Sequence, residues 1–253
     1  MTTEALLGYK VYNQGVDECV EEIAQAIDSR NGQTWLACLN PHSYIVAQQD
    51  AAFSHALHQA HWLIADGVGV VLASRWLGGA IRERVSGPDV FLRVNERLAQ
   101  RGARVFFLGA SPETLQQIVL KVRHDYPGLV VAGTYSPPYA DSFTAEQDRQ
   151  MIDAVNRAKP DALWIAMTAP KQEKWLAAHR HALAVPFAGA VGAVFDFYTG
   201  RVSRSSRHFQ RFGLEWLPRL LREPRRLWRR TFVSAPLFLK AVFVARLRGR
   251  QRS

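Results

Sequence analysis

The chain has 253 residues, enough for one large domain, or for one domain with an appendage, and for a full hydrophobic core. Hydrophobic residues make up 48% and charged residues 21% of the sequence, which excludes an intrinsically disordered protein. The formal net charge is +10. The two cysteines, Cys19 and Cys38, have no CxxC spacing, which excludes a disulfide scaffold or a zinc ribbon. This cysteine usage favours a reduced, cytoplasmic setting.

The first residues, MTTEALLGYKVYNQG, contain no basic segment followed by an apolar one. The sequence also contains no stretch of about 18 uncharged apolar residues. We therefore expect neither a secretory signal nor a transmembrane helix.

The first predicted element is a helix over residues 16–30, where apolar side chains recur at helical spacing. Six short apolar runs follow, each with a helical pattern after it; Ser111, for example, is the predicted N-cap of one such helix and Pro112 begins its first turn. Apolar strands that alternate with helices are typical of a parallel sheet covered on both faces. The sequence thus predicts an α/β, Rossmann-like, doubly wound fold. Its predicted strands lie within residues 34–40, 61–66, 104–110, 129–135, 162–167 and 185–192.

Asp66 is the most informative residue, because a carboxylate ends the apolar run HWLIAD just before Gly67. Doubly wound sheets bind ligands at the carboxyl ends of their strands, so Asp66 is expected to project into a crevice there. Two roles fit this position: an N-cap of the following helix, or a general base that accepts a proton from an attacking hydroxyl.

Further candidate contacts follow other strands. Arg84, in IRERVSGPD, suits a diphosphate clamp, although surface arginines are usually only solvated. Lys171 and Gln172 open a helix whose free N–H groups suit an anion, but such helix starts occur throughout α/β folds. Asp196 is either a surface charge or an acceptor for sugar or ribose hydroxyls. The residues that end two more strands at this edge are Asn40 and Gly109.

Metal and nicotinamide chemistry find little support in the sequence. The eight histidines show no HxxxH or HExxH spacing, and no DxD pair is present for a nucleotide-bound metal ion. The segment DGVG lacks the third glycine and the later acidic residue of a dinucleotide-binding loop. We therefore expect no metal ion and no cofactor.

The positive charge is concentrated in residues 201–253, which hold 15 Lys and Arg against 2 Asp and Glu, a net +13. Residues 1–200 hold 17 against 20, a net −3. We therefore predict an α/β catalytic domain over residues 1–200 and an arginine-rich appendage over residues 201–253, whose partners should be anionic.

The appendage has the pattern of a basic amphipathic helix or helix pair, since leucine and aromatic residues recur at helical spacing over residues 217–232 among arginines. Residues 233–247 are too short and too interrupted to span a bilayer but suit its interface. Docking on an anionic membrane surface is favoured over a dimer helix and over nucleic-acid binding, because no nucleic-acid-binding fold is recognisable.

Six segments stand in order along the chain: NPHSYIVAQQD, ADGVGVVLASRWLGGAIRERVSGPD, FFLGASPETL, PKQEKW, GVGAVFDFYTGRVSR and LEWLPRLLREPRRLWRR. Together, over about residues 35–230, they resemble the WecG/TagA/CpsF family of bacterial glycosyltransferases. The resemblance implies a metal-independent, inverting transfer of a sugar from a UDP donor to a polyprenyl-diphosphate-linked saccharide, at the cytoplasmic face of the membrane. The donor sugar is a hexosamine, its uronic acid or a hexose, and the product an exopolysaccharide, capsule or cell-wall polymer.

By the same resemblance, Asp66 is the catalytic base and Arg84 stabilises the charge of the departing diphosphate. Asn40, Gln172 and Asp196 are implied to contact the substrates, to which the predicted strand edge adds Gly109 and Lys171. The appendage arginines implied to meet the membrane and to close over the active site are Arg219, Arg222, Arg226 and Arg229.

Two other functional classes remain open from the sequence. A catalytically inactive, membrane-peripheral protein of the same fold would bind a UDP-sugar or a lipid without turnover, and Asp66→Asn would then change nothing measurable. A nucleotide-dependent oxidoreductase would show cofactor absorbance. Because family members can form trimers, a homo-oligomer also remains open.

Overall fold

The computed structural model describes residues 1–201 and 228–250. Its strands are β1 (Thr3–Leu6), β2 (Tyr9–Tyr12), β3 (Thr34–Leu39), β4 (Trp62–Ala65), β5 (Arg104–Gly109), β6 (Val130–Tyr135), β7 (Ala162–Ala166) and β8 (Phe187–Ala190). Its α-helices are α1 (Val16–Ser29), α2 (Pro41–Ala47), α3 (Ala51–Gln59), α4 (Val68–Leu77), α5 (Gly87–Ala99), α6 (Pro112–Asp125), α7 (Ala145–Ala158), α8 (Lys171–His179), α9 (Val194–Tyr198) and α10 (Ala235–Arg250).

Six strands form one parallel sheet in the order β4-β3-β8-β7-β5-β6. Each of the six apolar runs of the sequence contains one of these strands, and α1 occupies the predicted first helix. The predicted α/β, Rossmann-like fold is therefore confirmed.

The sheet separates two hydrophobic clusters, as a parallel sheet covered on both faces requires. Along β3, Trp35, Ala37 and Leu39 belong to one cluster and Leu36 to the other, which follows the two-residue period of a strand. The first cluster takes side chains from α2, α3, α4, α7, α8 and α10, and the second from α1, α5, α6 and α9.

Side-chain caps fix where several helices begin. The Asn40 carbonyl oxygen Oδ1 accepts a hydrogen bond from the Ser43 N–H over 2.9 Å, and the Ser43 hydroxyl in turn accepts from the Asn40 N–H. Ser111 accepts from the Thr114 N–H at the start of α6, which confirms its predicted role as N-cap. These caps hold helix starts close to the carboxyl ends of the strands.

The sequence analysis did not anticipate β1 and β2, which form an antiparallel hairpin outside the main sheet. Its turn is made by Leu7 and Gly8, both with positive φ. Leu6, Tyr9 and Val11 bury their side chains in the first hydrophobic cluster, so the hairpin packs against the domain. Four-residue strands give too short an alternation to be recognised in the sequence.

The helix α10 packs onto the domain across α2 and α4. Phe238 and Val242 are only 2% and 1% exposed; Phe238 meets Tyr44 edge to face, while Phe243 stacks on Trp76. Among the helices of the described residues, none has the length and apolar content needed to cross a membrane. Most of the helical pattern predicted over residues 217–232 lies outside the described residues. The boundary near residue 200 stays a prediction.

Candidate active site

Asn40 and Asp66 lie side by side where two strands end. β3 and β4 pair with Leu39 opposite Ala65, so the residues that follow these two are neighbours. The Asp66 N–H donates to the Leu39 carbonyl over 2.9 Å. The helices that follow the neighbouring strands β3 and β8 belong to opposite hydrophobic clusters, α2 to the first and α9 to the second, and doubly wound sheets bind ligands where neighbouring strands diverge in this way.

The backbone around Asp66 argues against the capping role, one of the two roles that the sequence left open, while the role of general base stays a prediction. Gly67, not Asp66, is the N-cap residue of α4, and within residues 1–201 and 228–250 no side-chain cap is made there. Gly67 has φ +134°, a conformation that favours glycine. Asp66 is half-buried and does not serve as the N-cap of α4. The position suits a carboxylate that faces a ligand.

Arg84 is held next to Asp66 by the backbone. The Val85 N–H donates to the Ala65 carbonyl over 3.2 Å, so the residues before Val85 and after Ala65 flank one hydrogen bond. The Arg84 guanidinium lies 3.8 Å from the Asp89 carboxylate, in the first turn of α5, and its side chain is 24% exposed. The Arg84 cation and the Asp66 carboxylate therefore lie at the same edge of the sheet. Proton transfer beside a charged leaving group needs such a pair.

Gln172 is buried and binds the ends of two strands. Its Oε1 accepts hydrogen bonds from the Met167 N–H at 3.2 Å and the Gly192 N–H at 3.1 Å, just beyond β7 and β8. Its Nε2 donates to Glu173 Oε1 over 2.9 Å. The neighbouring Lys171 donates from Nζ to the Ala140 carbonyl over 2.6 Å. Both side chains are therefore hydrogen-bonded within the protein. Their contacts with substrate stay predictions.

Gly109 ends β5 where the backbone of β7 approaches closely. It has φ +104°, and a Cβ at this position would lie 2.4 Å from the Ala166 carbonyl oxygen, so only glycine fits. Ala110 and Thr168, which follow β5 and β7, have φ of +59° and +68°. Backbone strain in non-glycine residues is often found at functional sites, and these two of the five such residues in the described chain lie at the predicted ligand edge.

Asp196 lies on α9, just after β8, and is half-buried. Among the described residues its carboxylate has no hydrogen-bond or ion-pair partner, so it is available to accept from hydroxyl groups. Its contact with a nucleotide or sugar stays a prediction.

Most of the arginines predicted to meet the membrane lie outside the described residues. Arg219, Arg222 and Arg226 lie outside the described residues, as does the side chain of Arg229. The described chain resumes at Trp228, and Ser234 returns to the site by a hydrogen bond of 2.8 Å between its Oγ and His42 Nδ1.

Comparison with known proteins agrees with this geometry. The model of the glycosyl transferase WecG/TagA/CpsF family matches residues 4–252. The chain belongs to this family. The resemblance that the ordered motifs suggested is thereby confirmed.

Two curated relatives of this family member carry the same name, N-acetylglucosaminyldiphosphoundecaprenol N-acetyl-beta-D-mannosaminyltransferase. The protein from Bacillus spizizenii is 32% identical over 213 residues, which cover 84% of this chain and 80% of the relative. The protein from Bacillus subtilis is 28% identical over 244 residues, which cover 96% of this chain and 91% of the relative. Both relatives are thus transferases named for a polyprenyl-diphosphate-linked acceptor.

Glu173 is a buried carboxyl next to Gln172 that was not expected from the sequence. It is 2% exposed, and burial raises the pKa of its carboxyl to about 7 although the Gln172 amide opposes the rise. In the described part of the chain, Glu173 Oε2 has no hydrogen-bond partner. Glutamate in the first turn of a helix is normally solvated, so only the neighbouring motif residues Lys171 and Gln172 could have drawn attention to it.

The Cys38 thiol is affected by the charges of both Glu173 and Asp66. Burial raises the pKa of the Cys38 thiol, and the negative charges of Asp66 and Glu173 raise it further. A Cβ on Gly87, at the start of α5, would lie 3.3 Å from the Cys38 sulfur. The Cys38 thiol is therefore in its neutral form and lies beside Gly87, at the start of α5.

No three His, Cys, Asp or Glu side chains within residues 1–201 and 228–250 are grouped as ligands for a metal ion.

Proposed function

We propose that this glycosyltransferase-family member transfers a sugar from a UDP donor to a polyprenyl-diphosphate-linked saccharide, with inversion at the anomeric carbon. The observation that carries the proposal is the placement of Asp66 and Arg84 on either side of the Val85–Ala65 hydrogen bond. Support for the acceptor comes from the two relatives, whose names specify N-acetylglucosaminyldiphosphoundecaprenol.

The proposed reaction is a single displacement. The acceptor hydroxyl oxygen attacks the anomeric carbon, its proton passes to the Asp66 carboxylate, and the bond from that carbon to the UDP oxygen breaks with its electron pair leaving on UDP. Arg84 stabilises the negative charge that builds on the diphosphate. One base and no protein nucleophile are needed, so the sugar changes configuration once.

Asn40 and Asp196 are the proposed substrate contacts beside this pair. Asn40 uses its Oδ1 to cap α2, so its amide N–H groups are the donors left for a substrate oxygen. The Asp196 carboxylate suits sugar or ribose hydroxyls as an acceptor. The donor we place first is UDP-N-acetylmannosamine, because both relatives are named for transfer of an N-acetylmannosaminyl group.

We also propose that neither a metal ion nor a cofactor takes part. The support is the chemistry of the site, where an arginine stands beside the base and more arginines are available in the appendage. Guanidinium groups can bind diphosphate oxygens in the place of a divalent cation.

The enzyme is further proposed to act at the inner face of the cytoplasmic membrane, as a peripheral protein. Support comes from exposed apolar side chains on the neighbouring helices α4 and α10, together with the net charge of +13 over residues 201–253. The exposed apolar residues on these two helices include Val68, Leu72, Trp76, Leu239, Phe243 and Leu247.

The test is release of UDP by the purified full-length protein from a panel of UDP-sugars, with and without N-acetylglucosaminyl-diphosphate-linked polyprenol, and with and without a chelator. Acceptor-dependent release from one donor, unchanged by the chelator, is the expected result. Asp66→Asn should lower kcat by at least about 100-fold, the size of a general-base contribution. Asp153→Asn, an exposed carboxylate on α7, is the matched control and should leave kcat unchanged.

Two outcomes would contradict the proposal. Absence of UDP release from every donor with the lipid acceptor present would favour the binding protein of the same fold. Full activity of Asp66→Asn would remove Asp66 from the mechanism. Proton spectra of the product give the anomeric configuration, and retention would exclude a single displacement.

A further inference from the structure

A groove runs between α2 and α10, beside the turn of the β1–β2 hairpin. Its volume is about 1060 Å³, and most of its lining is apolar. Tyr44 and Ile45 contribute from α2, and Leu237 and Val244 from α10. The groove is separate from the candidate catalytic residues, none of which lines it.

One face of α10 forms one wall of the groove. The lining residues of this helix recur three and four positions apart, from Leu237 to Arg248, which spans roughly 16 Å at the helical rise of about 1.5 Å per residue. Lys240 and Arg248 belong to this set, and no acidic residue occurs among the described residues that line the groove. The groove is therefore long, apolar and flanked by positive charge.

The groove lies close to the strand edge that carries Asp66. Asn40, which stands beside Asp66, is the N-cap of α2, and the lining residues Tyr44 and Ile45 follow about one helical turn later. The hydrogen bond between His42 and Ser234 fixes the start of α10 against the start of α2. A ligand whose head occupies the edge can therefore extend its tail between these two helices.

We propose that this groove binds the polyprenyl chain of the lipid-linked acceptor. This inference rests on the proposed function, which supplies a substrate with a diphosphate at one end and a long hydrocarbon at the other. A hydrocarbon chain needs no hydrogen-bond partners, which fits a lining that is mainly aromatic and aliphatic, with Gln48 and Gln49 as its uncharged polar members. Lys240 and Arg248 complement a diphosphate and anionic headgroups around the chain.

The test compares two acceptors that carry the same N-acetylglucosaminyl-diphosphate head, one on a long polyprenol in detergent micelles and one on a short, water-soluble chain. Ala245→Trp fills the groove, and Leu237→Asp makes its wall polar at an exposed position that tolerates substitution. Each should raise KM for the long-chain acceptor by about tenfold, since a few buried methylene groups account for that change. KM for the short-chain acceptor should stay within about twofold.

Leu120→Trp is the matched control, because it adds the same ring at an exposed position on α6, outside both the groove and the apolar surface of α4 and α10. It should leave both KM values unchanged. Thermal unfolding of each variant identifies any that has lost its fold, and Leu237→Asp then carries the test.

Two results would overturn the inference. Equal effects of the groove variants on the two acceptors, or no effect on either, would show that the chain lies elsewhere. A fall in binding to anionic vesicles that accounts for the whole rise in KM would show that the groove meets the bilayer itself and not the acceptor chain. Turnover of the short-chain acceptor by the unchanged protein tests the proposed function separately, so the two can fail independently.

Discussion

At the scale of single residues, the buried carboxyl of Glu173 makes the free energy of unfolding depend on pH. Burial raises its pKa to about 7, whereas the pKa of an unperturbed glutamate is 4.5. Between these values the folded protein holds a proton that the unfolded chain has released, so raising the pH destabilises the fold. The carboxyl contributes no such penalty below pH 4.5, and above about pH 7 the penalty is constant.

Glu173→Gln should therefore gain stability relative to the natural protein as the pH rises from 4.5 to 7. The gain should approach about 1.4 kcal/mol per pH unit, the free energy of one unit of pKa. Urea unfolding of both proteins at several pH values measures it. A difference that stays constant across this range would show that Glu173 is ionised in the folded protein.

Gln172 can be assigned to structure or to substrate binding by a second substitution. In Gln172→Met, the N–H groups of Met167 and Gly192 lose their acceptor. One buried and one partly buried donor without partners should lower the free energy of unfolding by on the order of 2 kcal/mol. Gln25→Met, on the exposed face of α1, is the control and should change it by less than about 0.5 kcal/mol. An unchanged stability with a raised KM for the donor would instead make Gln172 a substrate contact.

How far the site could be predicted differs from residue to residue. Asp66 was recognisable because a carboxylate that interrupts an apolar run is unusual, and the strand order then placed Asn40 beside it. Glu173 was not, because its surroundings include Cys38 on β3, which is far from it in the sequence. Local patterns report local geometry, whereas desolvation depends on packing between distant segments.

At the scale of elements, the β1–β2 hairpin supports the loop that carries Arg84. The Glu4 carboxylate accepts hydrogen bonds from the N–H groups of Ala80 and Ile81 and from the Ser74 hydroxyl. At the other end of the same loop, Glu83 accepts from the Val16 N–H over 3.2 Å, at the start of α1. The loop is thus held from both sides before it reaches Arg84.

Glu4→Ala should release one end of this loop. We expect kcat to fall by about tenfold, because misplacing a group that stabilises the leaving diphosphate costs rate more than substrate affinity. KM for the donor should change less, and steady-state kinetics separate the two constants. Lys10→Ala, an exposed change on β2, should leave both unchanged. If Glu4→Ala lowered stability and kept full kcat, the hairpin would be a structural element only.

The elements themselves were predictable to different degrees. The six short apolar runs identified the parallel sheet because strands buried on both faces have few polar interruptions. The sequence of α4, VGVVLASRWL, is apolar on nearly all sides, which ordinarily indicates a buried helix. In the structure, however, Leu72 and Trp76 are 56% and 48% exposed. The sequence showed that α4 is apolar, but not that part of its surface would remain uncovered.

At the scale of the whole molecule, the apolar surface and the positive charge occur together. Trp76 on α4 and Phe243 on α10 stack on one another while both remain about half exposed, so the two helices present one continuous apolar surface. Residues 201–253 carry a net charge of +13 in the sequence, against −3 for residues 1–200. Such a surface should bind anionic membranes through two separable contributions, one electrostatic and one hydrophobic.

Co-sedimentation with vesicles separates these contributions. Binding to vesicles that contain anionic lipid should weaken strongly as salt rises from 0.05 to about 0.5 M, because the Debye length falls from about 14 Å to 4 Å. Leu239→Asp with Phe243→Asp removes apolar contact and should weaken binding at every salt concentration, while Leu120→Asp, an exposed leucine on α6, should have no effect.

A chain that ends near residue 205 retains α4 but loses α10 and the positive charge. If that shortened chain bound anionic vesicles as tightly as the full protein, membrane docking through the appendage would be wrong. If it kept weak, salt-independent binding, α4 would carry part of the attachment by itself.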